Sequence, residues 1–246
     1  MRKTLLSLAF PFYNEEENVT RVIQDLEQAF TREGLEDYEI IGVNNGSSDR
    51  TRTLLEGLQQ KNSRITIVTV PVNQGLGHGI LEGFRQARGE YVGFNCGDGQ
   101  ISAEDVVKIW RKLIRENLDL CKVKRVVRHD GFQRLVVSIF FNCLTRLLFG
   151  VQSMDINGIP KILKREALER LELFSKDWFI DCELMIKATQ QKLKIGEVEV
   201  EFLKRQGGSS HVNWKAVQEF LKNLFAYRIK GWPQSSGKLL LEKASR

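Results

Sequence analysis

The stretch from Tyr91 to Glu104, YVGFNCGDGQISAE, sets two ligand-holding groups at the end of an apolar run. Tyr91, Val92 and Phe94 are apolar, Gly97 breaks the run, and the turn that follows presents Asp98 and Gln100. Ser102 then offers a helix start with Glu104 and Asp105 in its first turn. A carboxylate at the C-terminal end of a buried strand is where an open α/β sheet places its ligand chemistry. Taken alone, an Asp-Gly pair more often marks a solvated turn, so the rest of the chain must decide.

Other stretches carry groups of the same kind. PFYNEEE follows a first apolar run, and NNGSSD, from Asn44 to Asp49, follows a second. NQGLGHG supplies Gly75, Gly77 and Gly79 between a strand and a helix, but its GxGxG spacing lacks the extra residue of a dinucleotide fingerprint. Asn95 and Cys96 stand where that fingerprint would need an acid. From Lys122 to Arg134 the chain packs Lys122, Lys124, Arg125, Arg128 and Arg134 into a short stretch, which reads either as an anion site or as a solvated positive face. Asp181 and Glu183 lie near the start of a helix, where an acid is also favoured by the helix dipole. His78, His129 and His211 lack the spacing of a metal site.

These groups need elements to hold them. Thr4 to Phe10 reads as a short buried strand, with Asn14 as N-cap of a helix from about Glu15 to Glu33. Tyr38 to Val43 and Ile65 to Val70 read as further strands, with Ser48 or Asp49 capping the helix between them. A glycine turn from Asn73 to Gly79 then leads to a helix through Ala87 and to the Tyr91 strand. Strand and helix alternating at this spacing predict a parallel sheet covered on both faces. Later, Val151 to Leu163 reads as irregular chain before a strand, Trp178 to Gln191 as a helix and Ile195 to Phe202 as a strand. Trp214 to Trp232 sets Val217, Phe220, Leu221, Leu224 and Phe225 on one helical stripe beside basic residues. That pattern suits packing on the domain, the commoner case, or lying on a membrane surface.

Composition narrows the class. The chain has 246 residues, enough for one large domain with a real core, and 42% hydrophobic against 28% charged residues makes it globular rather than disordered. A net charge of +6 points to an anionic partner: a nucleotide, a phospholipid surface or nucleic acid. Phe132 alone is an aromatic residue within the basic run, which argues against nucleic acid. Cys96, Cys121, Cys143 and Cys182 form no CxxC pair, and the N-terminus turns acidic too early for a secretory signal, so reduced thiols in a cytosolic protein are expected. The apolar region from Leu135 to Phe149 is interrupted by Asn142 and Arg146 and is too short to span a bilayer.

In order and spacing, PFYNEEENV, NNGSSDRT, NQGLGHGILEGFRQARGEYV, GDGQ, DWFIDCEL and RQGGSS resemble the family-2 glycosyltransferases of the GT-A fold. Within that family they look like the dolichol-phosphate mannose synthase-like branch, which charges a polyprenyl phosphate with one sugar. The resemblance spans about Thr4 to His211. It implies an α/β nucleotide-diphospho-sugar transferase fold, a mostly parallel central sheet flanked by helices. Residues 1–213 would form the catalytic domain and 214–246 a C-terminal amphipathic helix and loose tail.

The resemblance also implies roles. Pro11, Tyr13, Glu15, Asn45, Asp49 and Asp98 would bind the nucleotide-sugar donor. The usual acids of the second motif are Asn44 and Asn45 here, so an amide must replace a carboxylate. Asp98 and Gln100 would hold a divalent cation, Mg2+ or Mn2+, although Cys96 stands where the motif's first Asp would be and a thiol is a poor ligand for a hard ion. Arg125, Arg128, Arg134 and Ser138 would bind the acceptor phosphate, and Arg205 would close over the diphosphate. Asp181 would act as base for a hydroxyl acceptor, or would orient the sugar if the acceptor is an already ionised phosphate. The implied activity is inverting transfer of a hexose to a lipid phosphate at the cytoplasmic face of a membrane, with the C-terminal helix docked there. The alternatives are transfer to a sugar hydroxyl of a growing polysaccharide and a non-catalytic nucleotide-sugar binder.

Overall fold

A computed structural model describes residues 4–128, 132–204 and 214–231. Strands β1 (Leu6–Phe12), β2 (Tyr38–Asn45), β3 (Ile65–Val70) and β4 (Tyr91–Phe94) alternate with helices α1 (Val19–Glu33), α2 (Thr51–Lys61) and α3 (Leu76–Gln86). There follow α4 (Ala103–Arg115), β5 (Leu120–Arg128), α5 (Phe132–Phe149), β6 (Lys161–Lys164), α6 (Arg165–Leu171), α7 (Ile180–Gln190), β7 (Ile195–Phe202) and α8 (Trp214–Lys230). Among the described residues the strands form one sheet in the order β3-β2-β1-β4-β6-β5-β7.

β1 to β4 pair in parallel, as does β5 with β7, while β6 runs antiparallel to both β4 and β5. The reversal follows from the approach to β6. Residues 150–160 run past the C-terminal end of β5, where Asp155 binds Arg125, so the chain enters β6 from that edge.

Period-two alternation sorts the sheet's side chains. Leu6, Leu8, Phe10 and Phe12 face one core with Ile23, Leu26 and Phe30 of α1 and Val106, Ile109 and Trp110 of α4. Ala9, Ile41, Val43, Val92 and Phe94 face the other, under α3, α6 and α7. Phe220 and Leu224 of α8 join this second core, and the Phe220 ring meets Phe141 at 4.5 Å and Phe179 at 5.2 Å. Phe220, Leu221 and Leu224 of the α8 stripe therefore pack on the domain, Phe225 and Ile229 are exposed, and the Val217 side chain lies outside what is described.

Three local expectations fare differently. Ser102 caps α4, its Oγ accepting from the Asp105 amide at 3.1 Å, worth about 1 kcal/mol. Asn14 is not a helix cap: α1 starts only at Val19, and Asn14, at φ 53°, turns its Oδ1 to the Ser48 amide at 2.8 Å. The glycine turn is shorter than expected as well, because Gly77 and Gly79 already belong to α3.

Candidate active site

The C-terminal ends of β1, β2 and β4 meet at one edge, and their loops are laced together. Asn14 N donates to Ser47 Oγ at 3.1 Å, Glu15 N to Thr51 Oγ1 at 2.9 Å and Glu16 N to Asp49 Oδ2 at 3.0 Å. Asp49 also accepts from Thr51 N at 3.0 Å. Burial pushes its carboxyl up, but these donors outweigh it and hold the group below the usual carboxylate range. Glu15 is buried, with Oε2 accepting from Asn18 Nδ2 at 2.7 Å. Both acids thus set the shape of the edge in which Pro11 and Tyr13 lie.

Asn45 is buried at the end of β2, next to Pro11 and Gly79. Its Nδ2 donates to Asn73 Oδ1 at 3.3 Å and to Gly75 O at 3.1 Å. Two acceptors on one side fix the amide's orientation. Its Oδ1 is left buried without a hydrogen-bond partner among the described residues, a costly arrangement unless a ligand donor fills it.

At the end of β4, Asp98 Oδ1 accepts from Gln100 N at 3.1 Å across Gly99, whose φ of 69° makes the tight turn. The Gln100 side chain is turned away: Nε2 donates to Leu203 O at 3.0 Å, tying this loop to the chain after β7. The Cys96 thiol is pushed well above its ordinary pKa, first by burial and then by the charges of Asp98 and Asp181, with Lys161 and Arg125 opposing. Cys96 thus feels charges from the β4 turn, α7, β6 and β5 alike.

A second set of charges comes from the far half of the sheet. Lys161, at the start of β6, is fully buried, lies opposite Phe94 in the ladder and holds Asp181 Oδ1 of α7 in an ion pair. Burial pushes the Asp181 carboxyl up and the Lys161 ammonium opposes that shift. Lys122 of β5 is also fully buried; it donates to Val123 O and Asp155 O, each at 2.7 Å, and pairs with Glu197 at 3.1 Å. Burial, and then the charge of Lys161, lowers its pKa to about 8. Arg125 grips Asp155 with Nε at 2.8 Å and Nη2 at 2.6 Å, and its guanidinium lies over the Phe202 ring.

Of the acceptor candidates, Arg125 is thus bound to Asp155, and Ser138 Oγ on α5 accepts from Asn142 Nδ2 at 3.3 Å. Arg128 ends β5 and Arg134 lies in the first turn of α5; their side chains, and all of Arg205, lie outside what is described. The sequence reading missed Lys161 and Asp155, and it took Lys122 only as part of a basic run. The available signal was a lysine inside the apolar run IPKIL, which a strand buried on both faces cannot leave in water. A cavity of about 310 Å³ on the other side of the Asp98 turn, lined by Arg21, Leu26 and Ile101, reaches Gly99 but none of these charges.

The donor set for a divalent cation is small. Among the described residues no group of three or more His, Cys, Asp or Glu side chains is placed to hold a metal ion, and a protonated Cys96 is a poor partner for a hard one. The single carboxylate of Asp98 fits a cation that takes most of its shell from a ligand's phosphates and water.

Comparison with known proteins finds relatives over most of the chain. A dolichyl-phosphate beta-glucosyltransferase of Trichomonas vaginalis is 26% identical, covering 92% of this chain and 75% of that protein. An undecaprenyl-phosphate 4-deoxy-4-formamido-L-arabinose transferase of Photorhabdus laumondii is 24% identical, covering 89% of this chain and 66% of that protein. Among solved structures, glucosyl-3-phosphoglycerate synthase of Mycobacterium tuberculosis, in complex with Mn2+, uridine diphosphate and glucosyl-3-phosphoglycerate, superposes with a TM-score of 0.72 at 21% identity, over 94% of this chain and 82% of that one. That likeness shows a shared GT-A-like fold. The chain is a glycosyltransferase, and it belongs to glycosyl transferase family 2, whose profile matches residues 7–172.

Proposed function

We propose that this protein moves a hexose from a nucleotide-diphosphate sugar to a polyprenyl phosphate in one inverting displacement. Relatives named for dolichyl and undecaprenyl phosphate support that acceptor class. The observation that carries the reading is the pairing of Asp181 with Lys161. A hydroxyl acceptor needs a base to take its proton. Asp181 is buried and already shares its charge with an ammonium, whereas a phosphate arrives ionised and needs no base.

The residues then divide the work. The laced loops of β1 and β2 hold the nucleotide, and Asn45 Oδ1, without a partner among the described residues, is the acceptor assigned to its base. An oxygen of the acceptor phosphate attacks the anomeric carbon; the bond from that carbon to the β-phosphate oxygen breaks, and the electron pair leaves with the nucleoside diphosphate. A divalent cation held by Asp98 would supply Lewis-acid charge to the diphosphate. Lys122, Lys161 and Arg125 are each paired with an acid, Glu197, Asp181 and Asp155, so the charge that lowers the repulsion between two phosphates brought together is assigned to Arg128, Arg134 and Arg205. Arg128, Arg134 and Ser138 are the further acceptor candidates, with Arg205 for the diphosphate. Residues 1–213 form the catalytic unit, with 214–246 as its C-terminal extension. The enzyme works against the cytoplasmic face of a membrane, a placement that the free thiols of Cys96, Cys121, Cys143 and Cys182 fit.

The test is transfer itself: purified protein, a panel of sugar nucleotides, Mn2+ or Mg2+, and a polyprenyl phosphate, with the lipid product read by mass spectrometry. Asp181→Asn should retain transfer to the phosphate within about tenfold per folded molecule, against the 10²–10⁴-fold loss expected of a missing general base. Glycosylation of a sugar hydroxyl in place of the lipid phosphate would overturn the proposal.

A further inference from the structure

Helix α5 is built inside out. Asn142 and Thr145, two of its polar residues, are buried against the domain: Asn142 Oδ1 accepts from Ile156 N at 2.9 Å and Thr145 Oγ1 lies 3.7 Å from Cys182 Sγ. Its outer side is mostly apolar, with Val136 47%, Ile139 53%, Phe140 55% and Leu147 82% exposed and Arg146 exposed beside them. Apolar side chains at helical spacing on the solvent side cost free energy unless something covers them. Among the described residues nothing does, and no described helix is long and apolar enough to cross a membrane.

We propose that the outer face of α5 is a docking surface for an anionic lipid bilayer, along which the helix lies in the plane of the headgroups. The choice of a membrane rests on the polyprenyl-phosphate reading, and three observations support it. The only charged residues of α5 are Arg134 and Arg146, so the helix carries no acid to be repelled by anionic lipid. Val126 and Val127, 50% and 46% exposed, put two more apolar side chains in solvent near the end of β5, the element before α5 in the chain. The buried side of α5 also braces the acceptor charges, because Ile156, which Asn142 binds, follows the Asp155 that grips Arg125. A helix seated in the headgroup layer therefore sets the Arg125 cluster close to the level of a lipid's phosphate.

The full-length protein is sedimented with vesicles of phosphatidylcholine, with and without phosphatidylglycerol, beside the variant Ile139→Ser/Phe140→Ser and, separately, Leu147→Ser. Circular dichroism checks that each variant is folded. The expected result is binding by the unaltered protein that weakens with salt, and about a tenfold or greater loss in the double variant. Leu147→Ser keeps the test open if the double variant does not fold. Unchanged binding by a folded variant overturns the proposal. So does failure of the unaltered protein to bind, whether the face is then found covered by a second copy or by residues 232–246. Transfer to a short, water-soluble isoprenyl phosphate should survive both substitutions, while transfer to a long-chain acceptor in vesicles should fall with binding. No transfer to either acceptor, with stripe-dependent binding intact, would remove the assigned acceptor and leave the docking surface standing.

Discussion

Lys161 and Asp181 meet as an ion pair with almost no solvent contact, joining the start of β6 to the first turn of α7. The ammonium also lies over the Phe94 ring, 5.6 Å from its centroid, so one buried cation links β4, β6 and α7. Removing one partner strands the other charge. Lys161→Met should therefore cost about 3–5 kcal/mol, and the double variant Lys161→Met/Asp181→Leu should recover most of that loss. Urea unfolding of the two variants checks this; equal losses would mean that the pair is not the source of the cost.

Asp155 gives the acid limit. Burial pushes its carboxyl up, but the hydrogen bonds and charge of Arg125 overcome this and hold it at about 2, below its ordinary 3.8. A carboxylate with a lowered folded pKa contributes stability that is complete above its unfolded value and is lost as pH falls through the folded one. Close to two pKa units corresponds to about 2 kcal/mol. Asp155→Asn should therefore be less stable than the unaltered protein at neutral pH, with the gap closing between about pH 4 and pH 2. Urea midpoints measured across that range read the effect.

Cys96 offers a gain rather than a loss. A second carboxylate beside Asp98 would add a hard oxygen ligand, so Cys96→Asp should bind Mn2+ about tenfold more tightly in the presence of a nucleoside diphosphate. Without cation, the new charge meets Asp98 and Asp181, both of which already act on Cys96, and the melting temperature should drop. The two effects have opposite signs, and isothermal titration with paired melting curves separates them. A variant with unchanged Mn2+ affinity would place the cation away from Asp98.

Much of the first half was legible, and the reason lies in particular strands. Tyr38 to Val43 reads as an unbroken strand, and the strand, buried along its whole length, runs two residues further to Asn45, while the Asn, Asp and Gly residues after each strand mark the loops. Lys122 and Lys161 were not legible, because a lysine in a strand ordinarily faces water and their acidic partners come from distant elements. The orientation of α5 was also hidden, since its pattern fits a core helix equally well. The GxGxG stretch misled for a similar reason: Gly77 lies inside α3, where its amide donates to Asp177 O at 3.2 Å.

That contact yields a controlled pair of substitutions. A Cβ at Gly77 would collide with the backbone carbonyls of Ser175 and Asp177, whereas one at Gly57 in α2 meets nothing within 4 Å. Gly57→Ala should stabilise by about 0.5–1 kcal/mol through helix propensity. Gly77→Ala should destabilise by about 1–3 kcal/mol, because backbone rather than a flexible side chain must move. Chemical denaturation of both variants is the check, and stabilisation by both would show that α3 can lift from the 175–177 loop at no cost.

The unpaired Asn45 Oδ1 makes the donor's base testable before the sugar is known. A buried acceptor is matched by a ring N–H, which uracil and guanine present at the centre of their pairing edge, and opposed by the bare ring nitrogen of cytosine or adenine. Uridine or guanosine diphosphate sugars should therefore raise the melting temperature with Mn2+ present, and the cytidine and adenosine compounds should not. Asn45→Asp keeps an acceptor for the ring N–H but should destabilise the free protein by about 1–3 kcal/mol, because its Nδ2 donors to Asn73 and Gly75 become an oxygen facing two oxygens. Equal stabilisation by all four bases would mean that Asn45 braces the 73–75 turn and that the base is read elsewhere.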